Sequence, residues 1–120
     1  MKEENARPVF DMDHALDITG GDTEFLKELV ELFNADCPQK LNVISRAIED
    51  KDFKTLDEAA HSLKGASGNL GLACLHELSL KLEKMGKSEN TDGADETFKE
   101  LEEEIERFGK FISRPGWEEK

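Results

Sequence analysis

The stretch AAHSLKGASGNLGL, residues 59–72, sets a histidine just ahead of glycines at 65, 68 and 71. An imidazole can act as a nucleophile, a proton carrier or a metal ligand. Glycine inside a helix costs about 1 kcal/mol relative to alanine, so three of them need a reason: a bare surface, a close packing contact, or the end of the helix. The other side chains with comparable chemistry are His14, His76, Cys37 and Cys74. Only Cys74 and His76 are close in sequence, and two residues apart on a helix they point about 200° from each other. A metal-binding bundle is therefore poorly served, and without a CxxC spacing neither a zinc site nor a disulfide framework is signalled.

The elements that must position His61 are helical. Period-2 alternation is missing, there are no tyrosines and only three prolines, and apolar residues recur at helical spacing. DMDHALDI (11–18) reads as a short helix stopped by Gly20 and Gly21. Asp22 and Thr23 can cap a long second helix whose apolar set is Phe25, Leu26, Leu29, Val30, Phe33, Leu41, Ile44 and Ile48. Pro38 should kink or locally break that run; the alternative is two helices with a loop at 34–38. A third helix begins near Asp52, with Phe53, Leu56, Ala60, Leu63, Ser67 and Leu70 on its stripe. A fourth carries Leu72, Leu75, Leu78, Leu82 and Met85. GKSENTDG (86–93) reads as a loop. The last helix starts near Asp95 with Phe98, Leu101, Ile105, Phe108 and Ile112 inward and an acidic outer face from Glu100 to Glu106. The fold expected is all-α: an antiparallel up-and-down four-helix bundle with a short extra N-terminal helix. Residues 1–8 form a flexible segment or linker, 9–112 the bundle and 113–120 a frayed tail, with no function attached to Trp117.

At about 100° per residue, with the stripe of the third helix centred near Ala60, His61 points away from the core and shares its face with Lys54, Asp57, Glu58, Lys64, Gly65 and Gly68. Gly65 and Gly68 would then strip side chains away beside the imidazole and leave room for another molecule's backbone. The same angles count against the alternative that both permit close packing inside the bundle. Gly71 suits a helix C-terminus or tight turn. If helices three and four form an antiparallel hairpin about 69–71, His61 is level with Leu80 and Glu83 is about one turn away. A carboxylate accepting the δ N–H of an imidazole fixes the tautomer and frees the ε lone pair, as a nucleophile needs. Pairing of Glu83 with Lys87 at i+4 is an equal alternative.

A chain of 120 residues is the size of one domain. Its net charge of −12 leaves no basic stripe for nucleic acid and disfavours anionic membranes. No segment reaches the roughly 18 apolar residues of a membrane span. MKEENARPVF lacks a signal-peptide core and would serve equally as a linker. A soluble, cytoplasmic setting with reduced thiols is expected.

AAHSLKGASGNLG, followed by the leucines and glutamate of residues 75–83, resembles the histidine phosphotransfer (HPt) domain of multistep phosphorelays, whose signature is A-H-x-L-K-G. FDMDHALDITGGDTEFLKELVELF resembles the lead-in and second helix of HPt domains at the C-termini of hybrid sensor kinases, so the likeness spans about residues 9–112. The resemblance implies that His61 accepts the phosphoryl group and that Lys64 meets phosphoryl oxygens or a partner. Gly65, with Gly68, lets the partner in. Some family members carry glutamine where Glu83 stands, so the imidazole-orienting role carries over with a different charge.

The implied partners are response-regulator receiver domains and a hybrid sensor kinase. The receiver supplies the aspartyl phosphate, the Mg²⁺ ion and a cation of its own; the chain, as a monomer, needs no cofactor and is no enzyme alone. What remains for it is positioning and a nucleophile. An exposed imidazole is mostly neutral at pH 7, hence nucleophilic without a dedicated base. Apolar surface near His61 should do the docking, with Ala15, Ile18 and the start of the second helix as candidates. Ile18 in the core is the alternative. Within phosphosignalling the rival reading is the N-terminal phosphoacceptor domain of a chemotaxis-type kinase, which shares H-x-x-K-G. Outside it, the rivals are a metal-binding bundle or a plain helical scaffold.

Overall fold

The computed structural model describes residues 11–117. Five helices follow one another: α1 (Met12–Ile18), α2 (Thr23–Asp50), α3 (Phe53–Asn69), α4 (Ala73–Ser88) and α5 (Ala94–Ile112). Helices α2 to α5 pack each against the next, and α5 returns against α2, which closes a four-helix bundle with α1 lying on α2.

Local chemistry explains where the helices start. Asp11, Asp22 and Asp52 are N-caps whose carboxylates accept from the backbone N–H of His14, Phe25 and Thr55, at 3.1, 3.1 and 3.2 Å. The links are short, only Lys51 and Asp52 between α2 and α3, so successive helices must run antiparallel. The α3–α4 link closes on Gly71, whose φ of +76° lets the Leu72 N–H turn back to the Ser67 carbonyl at 2.9 Å. A side chain at 71 would also strike the backbone of Asp11, whose N–H donates to the Gly71 carbonyl at 2.9 Å. The turn thereby holds the start of α1 in place.

Most of the predicted stripes form the core: Leu26, Val30, Phe33 and Ile44 of α2, joined by Cys37, which the pattern did not include, with Leu56, Ala60 and Leu63 of α3, Leu75 and Leu82 of α4, and Leu101 and Phe108 of α5. Phe25, expected on the α2 stripe, lies in the first turn of α2 and is 45% exposed instead. Phe33 and Phe108 meet edge to face, with ring centroids 5.6 Å apart. Each large apolar side chain buried in this way stabilises the bundle by about 1.5–3 kcal/mol.

Three features differ from expectation. Pro38 does not break α2, which is helical throughout its 28 residues. Proline in a helix costs about 3 kcal/mol, and the burial of Phe33, Cys37 and Ile44 around it outweighs that. Helix α4 runs on through Ser88, past the expected loop start at 86. Gly86 is a packing residue there: a Cβ would lie 2.7 Å from the Asp57 backbone nitrogen and 2.9 Å from the Phe53 carbonyl oxygen. Finally, Trp117 folds back on Phe111 with ring centroids 6.2 Å apart, where the sequence pattern predicts a frayed end.

Candidate functional site

The buried stripe of α3 (Leu56, Ala60, Leu63, Ser67) leaves His61 on the outside, with its side chain 67% exposed. Gly65 lies one turn further along, and a Cβ there would meet nothing within 4 Å. The surface beside the imidazole is therefore open, as the helical angles require.

Across the hairpin, the bareness of Gly86 brings α4 against the α3 backbone at Asp57, close enough for Glu83 to reach the outer face of α3. Its side chain is only 4% exposed. Oε2 stands 2.7 Å from His61 Nδ1, and Oε1 stands 2.7 Å from Lys64 Nζ. The lysine contact is a charge pairing whose angles fall outside those of a hydrogen bond. Lys87 Nζ lies 3.8 Å from Oε2 and is held by Asp57 at 3.2 Å. Lys64, against the opposing effect of burial, and then His61 keep the Glu83 carboxyl below its ordinary range. The two alternatives for Glu83 thus coexist: it meets both the imidazole and Lys87, the imidazole at the shorter distance. With Glu83 ionised its oxygen can only accept, so Nδ1 is the donor, and in the neutral ring this leaves the lone pair on Nε2.

Two expectations are corrected here. Gly68 is not bare for a partner's sake: a Cβ would sit 2.9 Å from His76 Nδ1, and that nitrogen donates to the Lys64 carbonyl at 3.1 Å. Gly68 makes room for His76. Ala15 is fully buried and cannot contribute a docking surface; on a one-sided short helix its Cβ is the contact with the bundle. Ile18, by contrast, is 45% exposed, as is Phe25 at the start of α2.

Sequence reasoning missed the pairing of Lys64 with Glu83 and the whole Asp57–Lys87 pair. The signal for the latter was present: Asp57 is one turn before His61 and Lys87 one turn after Glu83, so an antiparallel register that joins one pair joins the other. Among the described residues no group of three or more His, Cys, Asp or Glu side chains could hold a metal ion. Cys37 is buried beside Pro38, and burial, with Asp36 nearby, pushes its thiol up to about 11. It is an inert core residue.

An Hpt domain family model matches residues 28–110. The chain belongs to the Hpt domain family. The matched span of this Hpt domain holds His61, Lys64, Gly65 and Glu83 and leaves α1 outside it. The chain is 29% identical over 104 residues to the phosphorelay intermediate protein rdeA of Dictyostelium discoideum, covering 87% of this chain and 41% of that protein. It is 30% identical over 76 residues to histidine-containing phosphotransfer protein 5 of Arabidopsis thaliana, covering 61% of this chain and 48% of that one. The chain thus spans less than half the length of these curated relatives. The crystal structure of histidine-containing phosphotransfer protein B from Pseudomonas aeruginosa PAO1 has the same fold, with a TM-score of 0.78 at 22% identity over 86% of this chain and 90% of that one. No helix among the described residues is long and apolar enough to cross a membrane.

Proposed function

We propose that this Hpt domain is a phosphorelay intermediate that takes a phosphoryl group on His61 from a receiver-domain aspartate and passes it to another receiver aspartate. The observation that carries the reading is an exposed imidazole whose Nδ1 is engaged by the buried Glu83. The Nε2 lone pair attacks phosphorus, the P–O bond to the aspartyl carboxylate breaks, and its electron pair leaves with the carboxylate. Nδ1 keeps its proton, so the ring gains a positive charge beside the Glu83 carboxylate. Return to a second aspartate reverses each change.

The two carboxylates that face the His61 side of the hairpin do not suit Mg²⁺: Glu83 is taken up by Lys64 and His61, and Asp57 by Lys87. The ion and the remaining catalytic groups come from the receiver, and this chain supplies position and nucleophile. Gly65 leaves space for the receiver backbone, Lys64 meets the phosphoryl oxygens, and Ile18 with Phe25 offers apolar contact. The domain works as a cytoplasmic monomer, within or beside a hybrid sensor kinase.

The test is phosphate uptake from receiver domains charged with acetyl phosphate and Mg²⁺. The wild type should acquire acid-labile, base-stable phosphate, and His61→Gln none at unchanged helical content. Equal labelling of the variant overturns the assignment.

A further inference from the structure

The carboxylate of Glu83 is surrounded by more cations than it needs, and one of them has no role in the reading above. Lys64 is the ammonium placed to meet a phosphoryl group on His61, yet it is occupied: its Nζ lies 2.7 Å from Glu83 Oε1 and its side chain is only 23% exposed. A phosphoryl group on Nε2 would stand on the side of the ring away from Glu83, which holds Nδ1, so an ammonium drawn to it loosens its hold on Oε1. A carboxylate on a side chain that is 4% exposed does not give up a counter-ion without a replacement. Lys87 stands ready at 3.8 Å from Oε2, one turn along α4, with its ammonium parked on Asp57 at 3.2 Å. Gly86, pressed on the Asp57 backbone, keeps α3 and α4 close enough for one lysine to serve both acids.

We propose that Lys87 is a positioning residue that moves from Asp57 to Glu83 as Lys64 turns to the phosphoryl group on His61. The inference rests on His61 as the phosphoacceptor. Charge accounting supports it. With a neutral ring, Asp57, Glu83, Lys64 and Lys87 balance. Bond formation at Nε2 gives the ring one positive charge and brings a phosphoryl group with two negative ones. The cluster becomes net negative, with the new charge at Nε2. Lys64, three residues on from His61, is drawn to that charge. The ring, through Nδ1–H, and Lys87 then share Glu83, while the more exposed Asp57 is left to water.

The test uses phosphoramidate, a small donor whose P–N bond breaks with loss of ammonia, so that no partner protein enters the measurement. The steady-state fraction of phosphohistidine is read by ³¹P NMR for the full chain and its variants. Lys87→Met should lower the fraction about 1.5- to fivefold, the range spanned by an exposed ion pair, and Lys87→Arg should restore it. Asp57→Asn should raise it, because Lys87 is then free for Glu83. In a Lys64→Met background, Lys87→Met should add no further loss, since Lys87 acts through Lys64. A wild-type fraction in Lys87→Met overturns the proposal, as does an additive loss in the double variant or a loss in Asp57→Asn. Absence of phosphohistidine from the wild type, or its persistence in His61→Gln, instead removes the reading of His61 itself.

Discussion

Nδ1 of His61 and Oε2 of Glu83 stand 2.7 Å apart across the α3–α4 hairpin, joining a side chain that is 67% exposed to one that is 4% exposed. The buried partner orients the exposed one. Glu83→Ala should therefore release the ring to both neutral tautomers, where the wild type holds the proton on Nδ1, a difference that ¹⁵N chemical shifts of the imidazole resolve. Phosphorylation of His61 should slow by roughly tenfold, as when a functional imidazole loses its orienting partner.

The same carboxylate gives the fold an acid limit. Lys64 foremost, with burial opposing and His61 adding to it, holds Glu83 below its ordinary value of 4.5. A carboxyl depressed in the folded state stabilises the protein above its unfolded value, and that stability is lost as pH falls through the lower folded value. Melting temperature should thus drop as pH falls below 4.5. Glu83→Gln should flatten this limb and cost about 1–3 kcal/mol at neutral pH, where Lys64 loses its charged partner. Asp52, lowered by its bonds to Thr55, keeps its own acid dependence in both proteins.

Glycines of similar appearance should respond differently to alanine. At Gly65 there is open space, so Gly65→Ala should raise stability by about 1 kcal/mol through helix propensity. At Gly68 the new methyl displaces His76 from the Lys64 carbonyl, which should offset that gain by about 1 kcal/mol. Gly86 faces backbone at 2.7 Å, which cannot rotate away, so Gly86→Ala should cost about 1–3 kcal/mol. Thermal unfolding of the three variants ranks them; an unfolded Gly65→Ala would contradict the open surface.

Ile18 and Ala15 separate docking from folding. Ile18→Asp, at an exposed position, should leave the stability within about 0.5 kcal/mol of wild type and weaken binding to a cognate receiver by more than about 1 kcal/mol. Ala15→Asp buries a carboxylate with no room for it and should destabilise the domain before any binding is measured. Calorimetry of binding alongside thermal melts distinguishes the two, and undiminished binding by Ile18→Asp would remove α1 from the docking surface.

The exposure of His61, the inward stripes of Leu56, Leu63, Leu75, Leu82, Leu101 and Phe108, and the cap at Asp22 were legible in the amino-acid sequence. Each depends on angle along one helix or on a hydrogen bond three residues long, and both are set locally. The family motif was legible for the same reason, being confined to little more than one helix. What the tertiary structure alone decided lies between helices. Gly65 and Gly68 share a face, and only the placement of His76 on α4 makes one bare and the other filled. Ala15 and Ile18 lie three apart on one helix, and the seat of α1 on the bundle separates core from surface. Pro38 stays helical because burial on both sides outweighs a local penalty. The hairpin register that sets His61 by Glu83 also sets Asp57 by Lys87, but whether Lys64 and Lys87 close on their acids depends on the distance between α3 and α4, which is fixed by packing at Gly86. Those quantities sum over the whole bundle, and no single stretch of sequence contains them.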